Sequence, residues 1–133
     1  MILIIGIDGL LGNYLFIKLS KYFQVLGTSR KKRSFNVFKF DILNPISDLK
    51  IEWKKIDTVI ISAACSKVDF CELYPDYSNE VNFIATTKIV RELKKRNIPV
   101  ILFSSEYVFD GENGQYTELS KKCPINNYGK QKK

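Results

Sequence analysis

The sequence predicts a Rossmann-type α/β fold: three layers around a parallel sheet with strand order 3-2-1-4-5. The first observation is that apolar segments of strand length alternate with helical segments along all 133 residues. The second is that the first apolar segment runs directly into a glycine-rich turn at residues 6–12, from which a helix follows. Because right-handed crossovers join such strands, we expect one parallel sheet.

Each element has its own local signal. The continuous apolar run at residues 1–5 predicts the first strand, and leucines at i+4 spacing (Leu11, Leu15 and Leu19) predict the helix after it. Residues 45–55 indicate at most one weak helix. The other predicted strands are residues 24–29, an edge-like 35–41, a central β-branched run at 57–64, and 100–105.

A long helix is predicted to begin within residues 75–78, with a buried stripe of apolar side chains. Its end is well marked, because residues 94–96 are basic, Asn97 suits a left-handed cap and Pro99 prevents continuation. A last helix is expected to begin near Asn127. The predicted stripe of the long helix is Val81, Ile84, Ala85, Ile89 and Leu93.

Composition indicates one globular domain, residues 1–133, since 45% of the residues are hydrophobic and 26% are charged. The net charge of +7 suits an anionic ligand. The basic residues are scattered over residues 30–33, 94–96, 121–122 and 130–133, which disfavours a nucleic-acid groove. Three cysteines without histidine predict no metal site, and their odd number favours a reducing, cytoplasmic setting. No apolar run approaches the ~20 residues of a membrane span.

The turn has the spacing G-x-x-G-x-x-G instead of the commoner G-x-G-x-x-G, but a strand before it and a helix after it predict dinucleotide binding. Gly6 would allow the sharp turn, Gly9 would let backbone N–H groups approach a pyrophosphate, and Gly12 would let the helix lie close to the sheet. The pyrophosphate would then bind at the helix N-terminus. A tight turn without a ligand is the alternative interpretation.

Residues after the second and third strands bear on which dinucleotide binds. An NAD site usually has an acidic residue after the second strand, whereas this chain has Ser29 and Arg30. The guanidinium of Arg30 could hold a 2′-phosphate, so we predict NADPH, with NADH as the alternative. Asp41 could accept a hydrogen bond from adenine. Arg30 would otherwise belong to a solvated basic turn, and Asp41 would be an ordinary loop residue.

A second constellation comprises Ser105, Tyr128 and Lys132. Tyr128 and Lys132 are four residues apart, so they share one face of the predicted last helix. A nearby ammonium stabilises a phenolate and would lower the tyrosine pKa toward neutrality. A serine hydroxyl after the fifth strand could hold a substrate carbonyl toward the phenol. Y-x-x-x-K alone is common, but its place after the fifth strand makes it more specific.

These features together resemble the N-terminal part of an extended short-chain dehydrogenase/reductase, and most closely the dTDP-4-dehydrorhamnose reductase family. The match covers nearly the whole chain in order and at family spacing. The matching residues are the glycine turn, Ala63-Ala64, residues 68–75, Val81-Asn82, residues 104–111, residues 116–118 and residues 124–129.

The resemblance implies reduction of a 4-keto group on a nucleotide-linked deoxysugar by hydride from NADPH. Tyr128 would be the proton donor, Lys132 would hold the nicotinamide ribose and Ser105 would orient the carbonyl. Asn82 would support the central strands, with plain helix packing as the alternative, and Asp69 and Glu72 would be packing or capping positions. The implied cofactor contacts are Gly6, Gly9, Leu10, Leu11, Gly12, Ser29, Arg30, Asp41, Ile42, Ala63, Ala64, Tyr128 and Lys132.

The chain departs from the family pattern at three places. The family usually has Asp where Glu106 stands and Ser or Thr where Gln131 stands. Family members also continue beyond this motif into a C-terminal sugar-binding domain, so we expect an incomplete dinucleotide-binding domain. Its last helical turn should fray and leave Lys132 without a fixed position.

We therefore expect dinucleotide binding with little turnover by these residues alone. The alternative function is a non-catalytic, partner-binding module that resembles the regulatory β subunit of methionine adenosyltransferase. A homodimer is compatible with either function.

Overall fold

Within residues 1–31 and 34–133, which the computed structural model describes, five parallel strands form one sheet. The strand order is 3-2-1-4-5, as the sequence predicts. The first strand is central and pairs with the second and fourth strands along its whole length. The strands are β1 (Ile2–Ile5), β2 (Val25–Ser29), β3 (Val37–Lys39), β4 (Thr58–Ile61) and β5 (Val100–Leu102).

The helices are short, and one of the helical segments is a π-helix, Glu80–Ala85. Three single 3-10 turns lie at Ile46–Asp48, Trp53–Lys55 and Glu106–Val108. No helix of the described residues is long and apolar enough to cross a membrane. The α-helices are α1 (Leu10–Leu19), α2 (Val68–Leu73), α3 (Pro75–Asn79), α4 (Thr86–Lys95) and α5 (Asn127–Lys132).

The chain divides into two compact units. The first unit contains Met1–Ala64 and Ala85–Phe103, and therefore the whole sheet with α1 and α4. The second unit contains Cys65–Ile84 and Ser104–Lys133, and therefore α2, α3 and α5.

The core of the first unit follows from the pairing of β1. β1 is a central strand of a parallel sheet, and such strands are covered on both faces, so their side chains are apolar on both sides. Leu3, Ile4 and Ile5 are accordingly all buried, although consecutive strand residues point to opposite faces. Leu15 and Leu19 of α1 pack against the cluster formed around Ile4, which positions the start of α1 beside the end of β1.

Three local predictions differ from the structure. The third strand covers only Val37–Lys39, and Phe35 is 97% exposed. The predicted single long helix is instead the succession of α3, the π segment and α4, preceded by the unpredicted α2. Residues 45–55 form two 3-10 turns. The C-terminal signals of the long helix were read correctly, because Asn97 has a φ of 56°.

Candidate cofactor and catalytic sites

The turn after β1 is too tight to accept side chains at its first and last glycines. Gly6 has a φ of +96°, and a Cβ built there would lie 2.7 Å from Ala63. A Cβ on Gly12 would lie 2.2 Å from the carbonyl oxygen of Gly6 and 2.5 Å from Ser62 Oγ. These are the sharp turn and the close approach of helix to strand that the glycine spacing predicts.

The middle glycine, Gly9, is open instead of crowded. A Cβ there would meet nothing closer than the Gly6 carbonyl oxygen at 3.9 Å. Gly9 is also the N-cap of α1, so the amide groups of the first helical turn begin at a residue without a side chain. Leu10 and Leu11 follow on the exposed start of the helix. The residues present therefore fit a pyrophosphate group bound at this helix end.

The glycine turn is joined to the end of β2 through Asp8, a residue that the sequence interpretation gave no role. Its Oδ1 accepts a hydrogen bond from Ser29 Oγ at 2.7 Å, and its Oδ2 accepts from the backbone N–H of Arg30 at 3.0 Å. Burial opposes ionisation of Asp8, but these hydrogen bonds and the charges of Lys31 and Arg30 outweigh it and lower the pKa. Asp8 therefore stays ionised at neutral pH.

A cavity of about 660 Å³ lies over this region of the first unit. It brings Gly9, Leu10 and Ser29 of the predicted cofactor positions together with Asp8. The described residues that line it are Ile7, Asp8, Gly9, Leu10, Asn13, Ser29, Lys31, Ser34 and Val37. Lys32 and Arg33 of the predicted basic turn lie outside the described residues.

Other predicted cofactor positions are not among the described residues that line this cavity. Asp41 accepts a hydrogen bond from the backbone N–H of Leu43 at 3.0 Å, as an ordinary loop aspartate does. Ile42 is buried and lines a different cavity. Arg30 is exposed, Ala63 packs on Gly6, and Ala64 is exposed beside it. Adenine recognition by Asp41 and cofactor binding by Ile42 remain predictions.

The second unit brings the three predicted catalytic side chains into one neighbourhood. Tyr128 is buried, and its ring meets that of Tyr107 edge to face with 5.9 Å between centroids. Lys132 Nζ lies 5.9 Å from the Tyr128 ring centroid. Burial lowers the pKa of Lys132. Lys132 thus lies within α5 beside Tyr128, and fraying of the last helical turn stays a prediction.

Burial raises the pKa of Tyr128, and the nearby Cys71 and Glu106 add to the increase. A hydrogen bond with Ser105 opposes these effects but does not reverse them. The sequence predicts a lowered pKa for Tyr128, whereas the structure gives a raised one, because desolvation of the phenolate outweighs its stabilisation. The phenol therefore keeps its proton at neutral pH.

Ser105 lies just before the 3-10 turn that contains Tyr107. Its Oγ donates a hydrogen bond to Glu106 Oε2 at 3.1 Å and accepts one from the backbone N–H of Tyr107 at 3.3 Å. The hydroxyl proton is thus held by the carboxylate that replaces the usual family Asp. A substrate carbonyl would have to take the place of Glu106 as its acceptor.

A buried amide pair fixes α5 within the second unit. Asn82 Nδ2 donates to Gln131 Oε1 at 2.7 Å, and Gln131 Nε2 donates to Ser78 Oγ at 2.8 Å. Asn82 also accepts from the backbone N–H of Cys65 at 2.7 Å and donates to its carbonyl at 2.9 Å. Gln131, one of the departures from the family pattern, is therefore a hydrogen-bonded core residue.

Two further contacts determine where α5 begins. Glu72 accepts hydrogen bonds from the backbone N–H of Asn127 at 2.6 Å and from its Nδ2 at 2.8 Å, so it caps this helix. Asn126 Oδ1 accepts from the backbone N–H of Gly129 at 2.7 Å. A Cβ on Gly129 would lie 2.0 Å from the carbonyl oxygen of Tyr107. The Asn-Asn-Tyr-Gly sequence thus places Tyr128 against Tyr107.

In a comparison against known families, the family model of the RmlD substrate binding domain matches residues 1–133. The chain belongs to the RmlD family. Curated relatives of this RmlD chain include the probable low-salt glycan biosynthesis reductase Agl14 of Haloferax volcanii. That protein is 41% identical over 78 residues, which are 58% of this chain and 26% of the relative.

The beta subunit of methionine adenosyltransferase 2 from Rattus norvegicus is 31% identical over 98% of this RmlD chain and 40% of its own length. Among solved structures, a hypothetical dTDP-4-dehydrorhamnose reductase from Sulfolobus tokodaii has a TM-score of 0.88 and 34% identity. That comparison covers 98% of this chain and 48% of the other. The chain thus spans less than half the length of these relatives.

Two further neighbours were solved with nicotinamide dinucleotides. The dTDP-4-dehydrorhamnose reductase of Bacillus anthracis, in complex with NADP, has a TM-score of 0.82 at 24% identity. MoeE5, in complex with UDP-glucose and NAD, has a TM-score of 0.85 at 25% identity. Each of the two matches covers 98% of this RmlD chain and 45% of the neighbour's chain.

Proposed function

We propose that this chain is the dinucleotide-binding portion of a reductase that acts on a 4-keto nucleotide sugar. The observation that carries the proposal is the cluster of Ser105, Tyr128 and Lys132 in one unit, at positions that match the motif of the family. The glycine turn in the other unit, with its open Gly9, supports the dinucleotide part. The activity itself is assigned to the whole protein, because this chain spans less than half the length of its relatives.

The reduced dinucleotide, when bound, would supply the hydride. Tyr128 would then give its phenolic proton to the carbonyl oxygen of the sugar, and Ser105 would orient that carbonyl by a hydrogen bond. Tyr128 holds its proton at neutral pH, as a donor must, but its raised pKa makes it a weaker acid than a tyrosine tuned toward neutrality. Lys132 would bind the nicotinamide ribose, as the family resemblance implies.

The dinucleotide would be held by the turn after β1. Gly6 and Gly12 would keep the turn tight, and the amide groups that follow Gly9 would bind the pyrophosphate. NADPH is the donor that Arg30 predicts. The choice between NADPH and NADH depends, however, on all of the charges at the end of β2.

The dinucleotide part is tested by Gly9→Ala, with binding of NADH and NADPH followed by fluorescence titration. The added methyl group meets open space in the fold, so we expect an unchanged melting temperature and affinity weakened by about tenfold. Ser20→Ala, beyond the opposite end of α1, is the matched control and should bind as the wild type does. Unchanged affinity of the Gly9 variant would refute the pyrophosphate site.

The reductase part is tested by incubating the chain with a dTDP-4-keto-6-deoxysugar and either dinucleotide. We expect little turnover by these 133 residues, and any oxidation of the dinucleotide should be lost in Tyr128→Phe. Full-rate reduction by the chain alone would contradict the assignment of activity to the longer protein. Turnover that persists in Tyr128→Phe would remove the proton-donor role.

The similarity to the beta subunit of methionine adenosyltransferase 2 over 98% of the chain favours a second candidate. In that case the protein would bind a dinucleotide and a partner enzyme without reducing a sugar. Stoichiometric co-purification of a methionine adenosyltransferase, together with no keto-sugar reduction by the protein that carries the chain, would select this alternative.

A further inference from the structure

The carboxylate of Asp8 occupies the hydrogen-bond donors that the end of β2 would otherwise offer to an anion. Ser29 Oγ and the backbone N–H of Arg30 both donate to it, at 2.7 and 3.0 Å. Ser29 Oγ also accepts from the backbone N–H of Lys31 at 3.0 Å. A phosphate group bound here would have to displace a carboxylate that belongs to the protein.

Asp8 lies where the fold would place the ribose that a dinucleotide carries next to its adenine. In this fold, a dinucleotide with its pyrophosphate at the first helix has this ribose near the end of the second strand. The same cavity is lined by Gly9 and Leu10 at the helix start and by Ser29 at the strand end, with Asp8 between them. The sequence has no acidic residue directly after β2, but Asp8 of the glycine turn lies at this strand end.

Asp8 has the capacity for this additional contact. A carboxylate offers about four acceptor positions, and the protein hydrogen bonds described here use two of them. A 2′-hydroxyl can donate to one of the remaining positions. A 2′-phosphate has no proton to donate in its dianionic form, and it would place a second negative charge beside the first.

We propose that Asp8 selects the dinucleotide by accepting a hydrogen bond from the ribose 2′-hydroxyl of NADH and by repelling the 2′-phosphate of NADPH. The inference rests on the proposed function, because it assumes that a nicotinamide dinucleotide binds in the glycine turn. It reverses the preference that Arg30 alone predicts.

Nearby cations limit the size of the effect. Lys31 lines the cavity and could attract a 2′-phosphate, whereas Arg30 is exposed and is not among the described residues that line it. Asp8 is itself exposed, so water screens its repulsion. We therefore expect a selectivity of roughly tenfold, as one charge contact near a protein surface allows.

The experiment measures the dissociation constants of NADH and NADPH for the wild type and for Asp8→Asn by fluorescence titration. Asp8→Asn keeps the shape and one acceptor oxygen but removes the charge. We expect the wild type to bind NADH more tightly, and the variant to shift the ratio of the two constants by about tenfold toward NADPH. Thermal shift with 5′-ADP and 2′,5′-ADP gives the same comparison without the nicotinamide.

Asp48→Asn is the matched control, because it removes the same charge from an exposed aspartate of a 3-10 turn. It should leave the ratio unchanged. Asp8→Ala, with its melting temperature recorded, separates a charge effect from loss of the fold. A wild-type preference for NADPH, or the same ratio in Asp8→Asn and the wild type, would overturn the inference. Binding of neither dinucleotide by the folded chain would refute the proposed function as well.

Discussion

Replacing Gln131 by Leu tests whether the buried amide pair stabilises the second unit. The substitution keeps the side chain's approximate size but removes the hydrogen bonds to Asn82 and Ser78. Asn82 Nδ2 still donates to the carbonyl of Cys65, and Ser78 Oγ still donates to the carbonyl of Pro75. One amide hydrogen of Asn82 is then left with only the weak acceptor Cys71 Sγ, at 3.9 Å, and is effectively orphaned, whereas Ser78 loses only a bond that it accepts.

An orphaned buried donor costs about 1–3 kcal/mol, and a lost hydrogen bond about 1 kcal/mol. We therefore expect the free energy of unfolding to fall by about 2–3 kcal/mol. Burial of the apolar leucine side chain offsets a small part of this loss. Urea unfolding followed by circular dichroism measures the change. Lys130→Leu, on the exposed face of the same helix, is the control and should change stability by less than about 0.5 kcal/mol.

Gln131→Leu combined with Ser78→Ala provides a double-mutant cycle, since the two side chains are in direct contact. The effects of the single variants should not add. A stability of Gln131→Leu equal to that of the wild type would show that the amide pair is not needed, and the reasoning from the orphaned donor would be wrong.

Three more expectations concern α5. Gly129→Ala should destabilise the chain by more than about 2 kcal/mol in thermal unfolding, because its Cβ would collide with the Tyr107 carbonyl; wild-type stability would contradict this contact. Glu72→Ala should cost about 1 kcal/mol, since Asn127 loses its cap, and denaturant unfolding would detect it. Tyr128 should titrate above its ordinary pKa of 10.0, as followed by phenolate absorbance, and its burial should cost stability as the pH rises from 10 through that raised value. A pKa below 10, or Tyr128→Phe with an unchanged loss of stability at high pH, would argue against the buried phenol.

The sheet could be predicted because its signals are local. The apolar run at Ile2–Ile5, the glycine turn and the capped end of α4 each depend on neighbouring residues only. They mark strands that alternate with helices, a pattern typical of the fold class in which the order 3-2-1-4-5 is usual. The third strand was overextended because alternation of apolar residues was read through Phe35, which the fold leaves exposed. Alternation does not distinguish a strand from a turn when a strand has only three residues.

The helical region after β4 was predicted less well for a physical reason. The six residues of α2 have too few turns for a periodicity to be recognised. The π segment at Glu80–Ala85 shifts the helical phase, and a regular 3.6-residue pattern fitted across it cannot locate that shift. Sequence alone correctly placed Val81, Ala85 and Leu93 in the core.

The candidate sites were predictable as motifs but not as networks. Gly6, Tyr128 and Ser105 were identified by their spacing and by the family resemblance. Asp8 was missed because its partners lie 21 and 22 residues away along the chain. The sequence interpretation looked for an acidic residue directly after the second strand and found none there. Contacts of this kind depend on the register between β1 and β2, which no local pattern records.

The fifth strand has a practical consequence for work with this protein. β5 is the last strand of the sheet within the described residues, and both Ile101 and Leu102 are 49% exposed. An edge strand with such side chains is a template to which strands of other molecules can attach. Purification at low concentration, with light scattering as a routine check, would keep such aggregates from being mistaken for a ligand effect in titrations. Threonine or lysine at residue 101 would improve colloidal behaviour without altering either candidate site.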